Sequence, residues 1–197
     1  MNSAQPIRTP EELEHFKEYY QLVKPRPRNY LLIVLGLNTA LRISDILELR
    51  WGNVYDFVQG HYRDHISITE QKTGKKSCIF LNQSILDALE QYRRYLVFQK
   101  KKEVQPQDFI FCHSNKNLPI SRVQAFRIIK TAADNCQLSG SISCHSLRKT
   151  FGYYAWQQGV SPALLMNVYN HSSYEVTKRY LGIEQDDRDN LFRSIRL

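Results

Sequence analysis

The sequence contains no Cys-x-x-Cys pair. Its four cysteines, Cys78, Cys112, Cys136 and Cys144, are widely spaced, which argues against a zinc ribbon. Their places in expected strands and helices suit reduced thiols. Long apolar runs are also missing. The longest, Tyr30 to Leu37, falls far short of the roughly 20 residues of a membrane span. The opening MNSAQPIRTP lacks the apolar core of a signal peptide. No internal repeat or low-complexity stretch is visible. Together these absences predict a soluble, cytoplasmic protein. Acidic residues are scarce against basic ones, 19 to 27, for a formal net charge of +8. That excess favours a polyanionic partner, nucleic acid being the commonest, although ribosomal and membrane-surface proteins share it. A length of 197 residues, 42% hydrophobic with 12 tyrosines, suits one folded domain with a sizeable core.

In chain order, Thr9-Pro10-Glu11-Glu12 reads as a capping box opening a helix to about Val23. The basic, proline-rich turn Lys24 to Arg28 is either a solvated connector or a phosphate-backbone contact. An apolar helix over 29–39 should lie at the centre of the core. Ile43, Ile46, Leu47 and Leu49 give helical spacing from Ser44 onward. Arg42 stands just before that helix, where its side chain can face an anion. Asp45 could orient Arg42, or a histidine, and in isolation the two read as a helix-start salt bridge. Residues 65–82 read as a β-hairpin, with Ile66 and Ile68, then Cys78 and Phe80, in alternation and Thr73-Gly74 at the turn. Lys72, Lys75 and Lys76 crowd its tip. A lysine there can reach a neighbouring site or simply keep the turn soluble.

Ile85 to Gln99 reads as an amphipathic helix, Lys100 to Glu103 as a solvated loop, and Phe109 to Phe111 as a short buried strand. Ser121 should cap a helix whose apolar face is Val123, Phe126, Ile129 and Ala133. Arg122, Arg127 and Lys130 would project elsewhere, toward a DNA groove or plain solvent. Helices are expected over 145–157, over 162–169 after a Ser161 cap, and after Ser173. Residues 184–190 are polar and acidic. The apolar and basic tail from Leu191 to Leu197 should dock on its own domain or on a neighbouring subunit.

The stretch from Cys144 to Leu181 carries the strongest chemical pattern. On a helix, His145 and Arg148 share one face. A guanidinium fork and an imidazole there can grip one anion. His171 follows, then Tyr180. A tyrosine is a poor nucleophile at neutral pH, with a pKa of about 10. It becomes useful when the group it attacks is held and neutralised by such donors. Each residue alone also has a bland reading as a structural histidine, surface arginine or core tyrosine.

Taken together, Arg42 in TALRISDILELRW, Lys72 in QKTGKK, His145 and Arg148 in HSLRKTF, His171 in NHSS and Tyr180 in TKRYL resemble the tyrosine recombinases, the phage integrase family. The match runs from about residue 10 to the C-terminus. It implies a mainly α fold with a small antiparallel sheet containing the 65–82 hairpin. It also implies a mechanism. Tyr180 would attack a DNA phosphate to form a 3′-phosphotyrosine and free a 5′-hydroxyl. Arg42 and Arg148 would clamp the non-bridging oxygens, and His171 would add a hydrogen bond. Lys72 would protonate the leaving oxygen, His145 would assist proton transfer, and Asp45 would support the site. No metal or nucleotide cofactor is implied, because the phosphotyrosine stores the bond energy. The implied partners are double-stranded DNA, self-association from dimer to tetramer on it, and accessory DNA-bending proteins. Lys75, Lys76, Arg122, Arg127 and Lys130 are candidate DNA contacts.

The sequence departs from the family pattern in places. Lys149 stands where histidine is frequent, and Tyr169-Asn170 stands where Leu-Gly is frequent. Neither position is expected to touch a catalytic role. Only about nine residues precede the first helix. The expectation is therefore a single catalytic domain without the N-terminal helical domain of most members, resembling the short fimbrial-phase invertases, or a catalytic fragment. Two other functions share these residues: a type IB topoisomerase-like nicking-closing enzyme, and a catalytically silent DNA-binding regulator of the same fold.

Overall fold

The computed structural model describes residues 4–113 and 116–195. Its elements are α1 (Pro10–Glu18), α2 (Pro27–Thr39), α3 (Ile43–Leu47), α4 (Trp51–Val54), β1 (Tyr55–Asp56), β2 (His61–Tyr62), β3 (His65–Thr69), β4 (Lys76–Phe80) and α5 (Gln83–Arg94). They continue with β5 (Cys112–His113), β6 (Lys116–Pro119), α6 (Arg122–Asn135), α7 (Cys144–Gln157), α8 (Pro162–Tyr169), α9 (Tyr174–Leu181) and α10 (Glu184–Ser194). Single π-helical turns, Tyr19–Val23 and Tyr95–Gln99, extend α1 and α5. The fold is thus mainly helical, as expected. Instead of one small sheet, the described residues hold three separate antiparallel pairs, β1–β2, β3–β4 and β5–β6.

Helix α2 organises the packing. Its residues 31–35 are buried on every side, the mark of a helix enclosed by others. One core cluster joins it to α5, Trp51 and Phe111. A second, on its other side, joins it to Phe16 of α1, Ile129 of α6 and Leu147 of α7. Helix α7 crosses α2 at Gly36, where a Cβ would lie 2.4 Å from Leu147 Cδ1. A third, smaller cluster of Ala40, Tyr153, Leu165, Tyr169, Leu181 and Ile183 seats α8 and α9 on α7. At Gly152 of α7 a Cβ would lie 2.5 Å from both Leu181 Cδ2 and Tyr169 Oη. Glycine there lets α7 approach the α8–α9 arm closely.

Helix starts follow the expected chemistry. Thr9, Ser121, Ser161 and Ser173 each accept a backbone N–H of the first turn, which satisfies donors that the helix leaves orphaned. The apolar face of α6 differs from expectation. Ala125, Ile129, Ala132 and Ala133 are buried, whereas Val123 and Phe126 are exposed. Small side chains allow α6 to pack closely, so its bulky residues end up in solvent beside Arg122 and Arg127. In the β3–β4 hairpin, Ile66 is buried while Cys78 and Phe80 face outward. Residues 184–190 and the start of the tail form one helix, α10. Its first turns are fixed by Arg8–Asp186 at 2.8 Å and by Trp156 Nε1–H donating to Asp187 at 2.9 Å. Leu191, Phe192 and Ile195 stay exposed. The last residues of the tail, 196–197, lie outside the described residues.

Candidate active site

A cleft of about 700 Å³ opens between the start of α3, the β3–β4 turn and the start of α7. Arg42, Lys72, Arg122, His145 and Arg148 line it. Its floor is set at the α2–α3 corner. Ala40 caps α2 in the left-handed conformation, φ 53°, which turns the chain. Arg148, 5% exposed, donates from Nη1 to the Ala40 carbonyl. Two residues later Arg42 forms the N-cap of α3. One short piece of backbone thus anchors the Arg148 guanidinium and carries Arg42.

Arg42 pairs with Glu70, not with Asp45. The Glu70 side chain is 4% exposed and also accepts from Ser77 Oγ at 2.7 Å and Thr73 Oγ1 at 3.2 Å. Burial raises the Glu70 pKa, but the hydrogen bonds from Ser77 and Arg42 and the Arg42 charge outweigh it, so the carboxyl sits below its ordinary value. Asp45, also buried, accepts from the Gln71 backbone N–H at 3.0 Å. It therefore supports the turn that carries Lys72 rather than Arg42 or a histidine. Its Oδ2 is buried without a hydrogen-bond partner among the described residues. Lys75 crosses from the turn to α8, donating to the Asn167 carbonyl at 2.6 Å. Lys72 and Lys76 remain exposed.

His171 and Tyr180 approach Arg148 from the other side. Asn170 ends α8 in the left-handed region, φ 56°, a conformation that asparagine tolerates better than most residues. That turn delivers His171. Its Nδ1 lies 3.1 Å from Thr177 Oγ1, which is also 3.3 Å from the Ser173 carbonyl. The single Thr177 proton can serve only one of them. Directed at Nδ1, it leaves the imidazole hydrogen on Nε2, available to a phosphate. The Tyr180 ring packs edge-on against His171, centroids 5.3 Å apart, and at a tilt against Tyr169 at 5.4 Å. Tyr169 is fixed in turn by donating to the Arg148 carbonyl at 2.7 Å. Lys149, 7% exposed, places Nζ 5.2 Å from the Tyr180 ring centroid. Both departures from the family pattern therefore touch Tyr180, contrary to expectation.

The charges act on one another. Burial, then Arg148, Lys149, Lys72 and Arg42, lower the His145 pKa. Burial, then Arg148 and Arg42, lower that of His171. Both shifts favour the neutral imidazole, the form in which His145 can accept a proton. Burial raises the Tyr180 phenol pKa, while Arg148 and Arg42 pull it back. The result is an anion site in which cations outnumber carboxylates.

The structure thus gathers Arg42, Lys72, His145, His171 and Tyr180 around Arg148, with Asp45 behind the hairpin turn. Arg122 reaches the cleft wall. Arg127 is exposed on α6, and Lys130 pairs with Asp134 at 2.5 Å. Sequence reasoning missed Glu70, Thr177 and Lys149. The helical spacing from Ser173 to Thr177 was the one available hint.

A family model described as the phage integrase family matches residues 9–186. The chain belongs to that family. It is 39% identical over 186 residues to the probable integrase/recombinase YoeC of Bacillus subtilis (strain 168), covering 94% of this chain and 93% of that protein. The fold is similar to that of XerA recombinase, with a TM-score of 0.73 at 17% identity, over 100% of this chain and 66% of XerA. It is also similar to a λ integrase (residues 75–356) dimer bound to a COC′ core site, with a TM-score of 0.65 at 18% identity, over 92% of this chain and 60% of that chain. At those identities the two structures speak to fold alone.

Proposed function

We propose that Tyr180 is the nucleophile with which this tyrosine-type DNA recombinase breaks and rejoins DNA strands. The observation that carries the reading is the convergence on Arg148 of Tyr180, His171 and the cleft holding Arg42, Lys72 and His145. Arg42 and Arg148 hold the non-bridging oxygens of a scissile phosphate and offset charge in the transition state. Neutral His171 donates to the same group. Tyr180 Oη forms the bond to phosphorus as its proton passes to His145. The bond to the 5′-oxygen breaks, and Lys72 supplies the proton that leaves with it. A 5′-hydroxyl of a partner strand then attacks the phosphotyrosine, reversing each transfer without net hydrolysis.

Arg122, Arg127 and Lys130 extend the basic surface along α6, with Lys75 and Lys76 at the hairpin. They contact the DNA backbone, while exposed Val123 and Phe126 suit thymine methyls in the groove. Solved λ integrase structures include a dimer on a core site and a tetramer on a Holliday junction. Assembly of the same kind here would use the exposed apolar end of α10. A DNA substrate and four free cysteines support the cytoplasm as the place of action.

The test is a covalent trap. Supercoiled DNA from the protein's own locus is incubated with the protein and quenched with detergent. Wild type should yield protein-linked DNA, and Tyr180→Phe none. Adducts at one sequence would exclude a nicking-closing enzyme without site preference. Binding with no adduct would sink the reading in favour of a silent regulator.

A further inference from the structure

Lys149 is a buried lysine that the mechanism above does not use. Lysine is seldom buried so far, and burial lowers the Lys149 pKa. Its position shows what the charge can do. Successive residues on a helix point about 100° apart. Arg148 therefore reaches the Ala40 carbonyl and the Tyr180 hydroxyl side, while Lys149 takes the face of the Tyr180 ring. Tyr169 and His171 close other sides of that ring. Among the described residues, Tyr180 on α9 and His145 on its own helix are titratable groups that face Lys149.

We propose that Lys149 is a positioning residue for the nucleophile, its ammonium over the Tyr180 ring seating that ring beside Arg148. This rests on Tyr180 being the nucleophile. A cation over an aromatic face is attracted by the ring's negative charge density. That density rises as the phenol gives up its proton to His145. The contact therefore strengthens on the way to the transition state, and only such differential contacts accelerate a step. It relaxes again once the oxygen carries the phosphoryl group. Arg148 and Lys149 thus divide the work, one at the oxygen and one at the ring.

The experiment labels all 12 tyrosines with 3-fluorotyrosine and follows them by fluorine NMR in the DNA-free protein. The resonance missing from Tyr180→Phe belongs to Tyr180. In Lys149→Met that resonance should move, and its ionisation midpoint should rise by about one pH unit, the tenfold effect of one desolvated cation–π contact. Lys149→Arg keeps a cation and should restore both. Single-turnover cleavage of DNA with sulfur at the bridging 5′ position, which needs no proton from Lys72, should fall roughly tenfold in Lys149→Met. It should recover in Lys149→Arg, with DNA affinity unchanged throughout. If Lys149→Met does not fold, Lys149→Gln carries the same comparison. An unmoved resonance and midpoint would overturn the proposal, as would Lys149→Arg behaving like Lys149→Met. Absence of any adduct from wild type, with the spectroscopic response intact, would instead refute the nucleophile assignment and leave the seat standing.

Discussion

Glu70 brings a buried carboxylate to a site otherwise dominated by cations, and its protonation should be visible in stability. Its folded pKa lies below the ordinary value of 4.5. The contribution of such a group is present above the unfolded pKa and is lost as pH falls through the folded one. Glu70→Gln should therefore cost about 1.5–3 kcal/mol at pH 7, the scale of hydrogen bonds to a charged group. The difference from wild type should shrink progressively below about pH 4.5. Thermal melts from pH 7 to pH 3 measure this, and a gap that persists undiminished at pH 3 would contradict it. Glu70 also shows where sequence reading stops. In TEQKTGKK nothing distinguishes it from a solvated charge, because its burial depends on Arg42, a contact 28 residues back in the chain. Arg148 and Tyr180 were legible because their spacing survives without tertiary context.

Elements were legible where local chemistry sets them. Serine and threonine caps mark their helices because the capping bond closes within one turn. The face of α6 was not legible, because periodicity favours bulky residues whereas close packing selects alanine. The same closeness governs α7. Replacing Gly152 with alanine gains helix propensity, worth up to about 1 kcal/mol. It also forces a Cβ to within 2.5 Å of Leu181 and the Tyr169 hydroxyl. Overpacking of that kind costs about 1–3 kcal/mol, so Gly152→Ala should be net destabilising. A lower urea midpoint is the expected readout. A midpoint equal to or above that of wild type would mean that the α8–α9 arm yields without cost.

For the whole molecule, a net charge of +8 makes DNA affinity a function of salt. Each phosphate contact removed should reduce the slope of log affinity against log salt by about one. Arg127→Ala should show that loss equally on specific and random duplexes. In the same titrations Phe192→Asp, at the exposed end of α10, should leave the slope on a single site unchanged and weaken cooperative filling of paired sites. Equal behaviour of Phe192→Asp and wild type on paired sites would exclude α10 as the contact between protomers.

The contacts around the cleft also close on themselves. Arg42 holds Glu70, the hairpin turn runs to Lys75, and Lys75 holds α8. Helix α8 ends at Tyr169, Tyr169 holds Arg148, and Arg148 returns to Ala40 beside Arg42. This is a hoop, and in a hoop every link shares the strain of opening. Most of its links are buried; the span from Lys75 to Asn167 lies at the surface. A load on the hairpin, such as a DNA backbone pressing past it, will part the hoop at that clasp first, swinging Lys72 while both guanidinium groups keep their places.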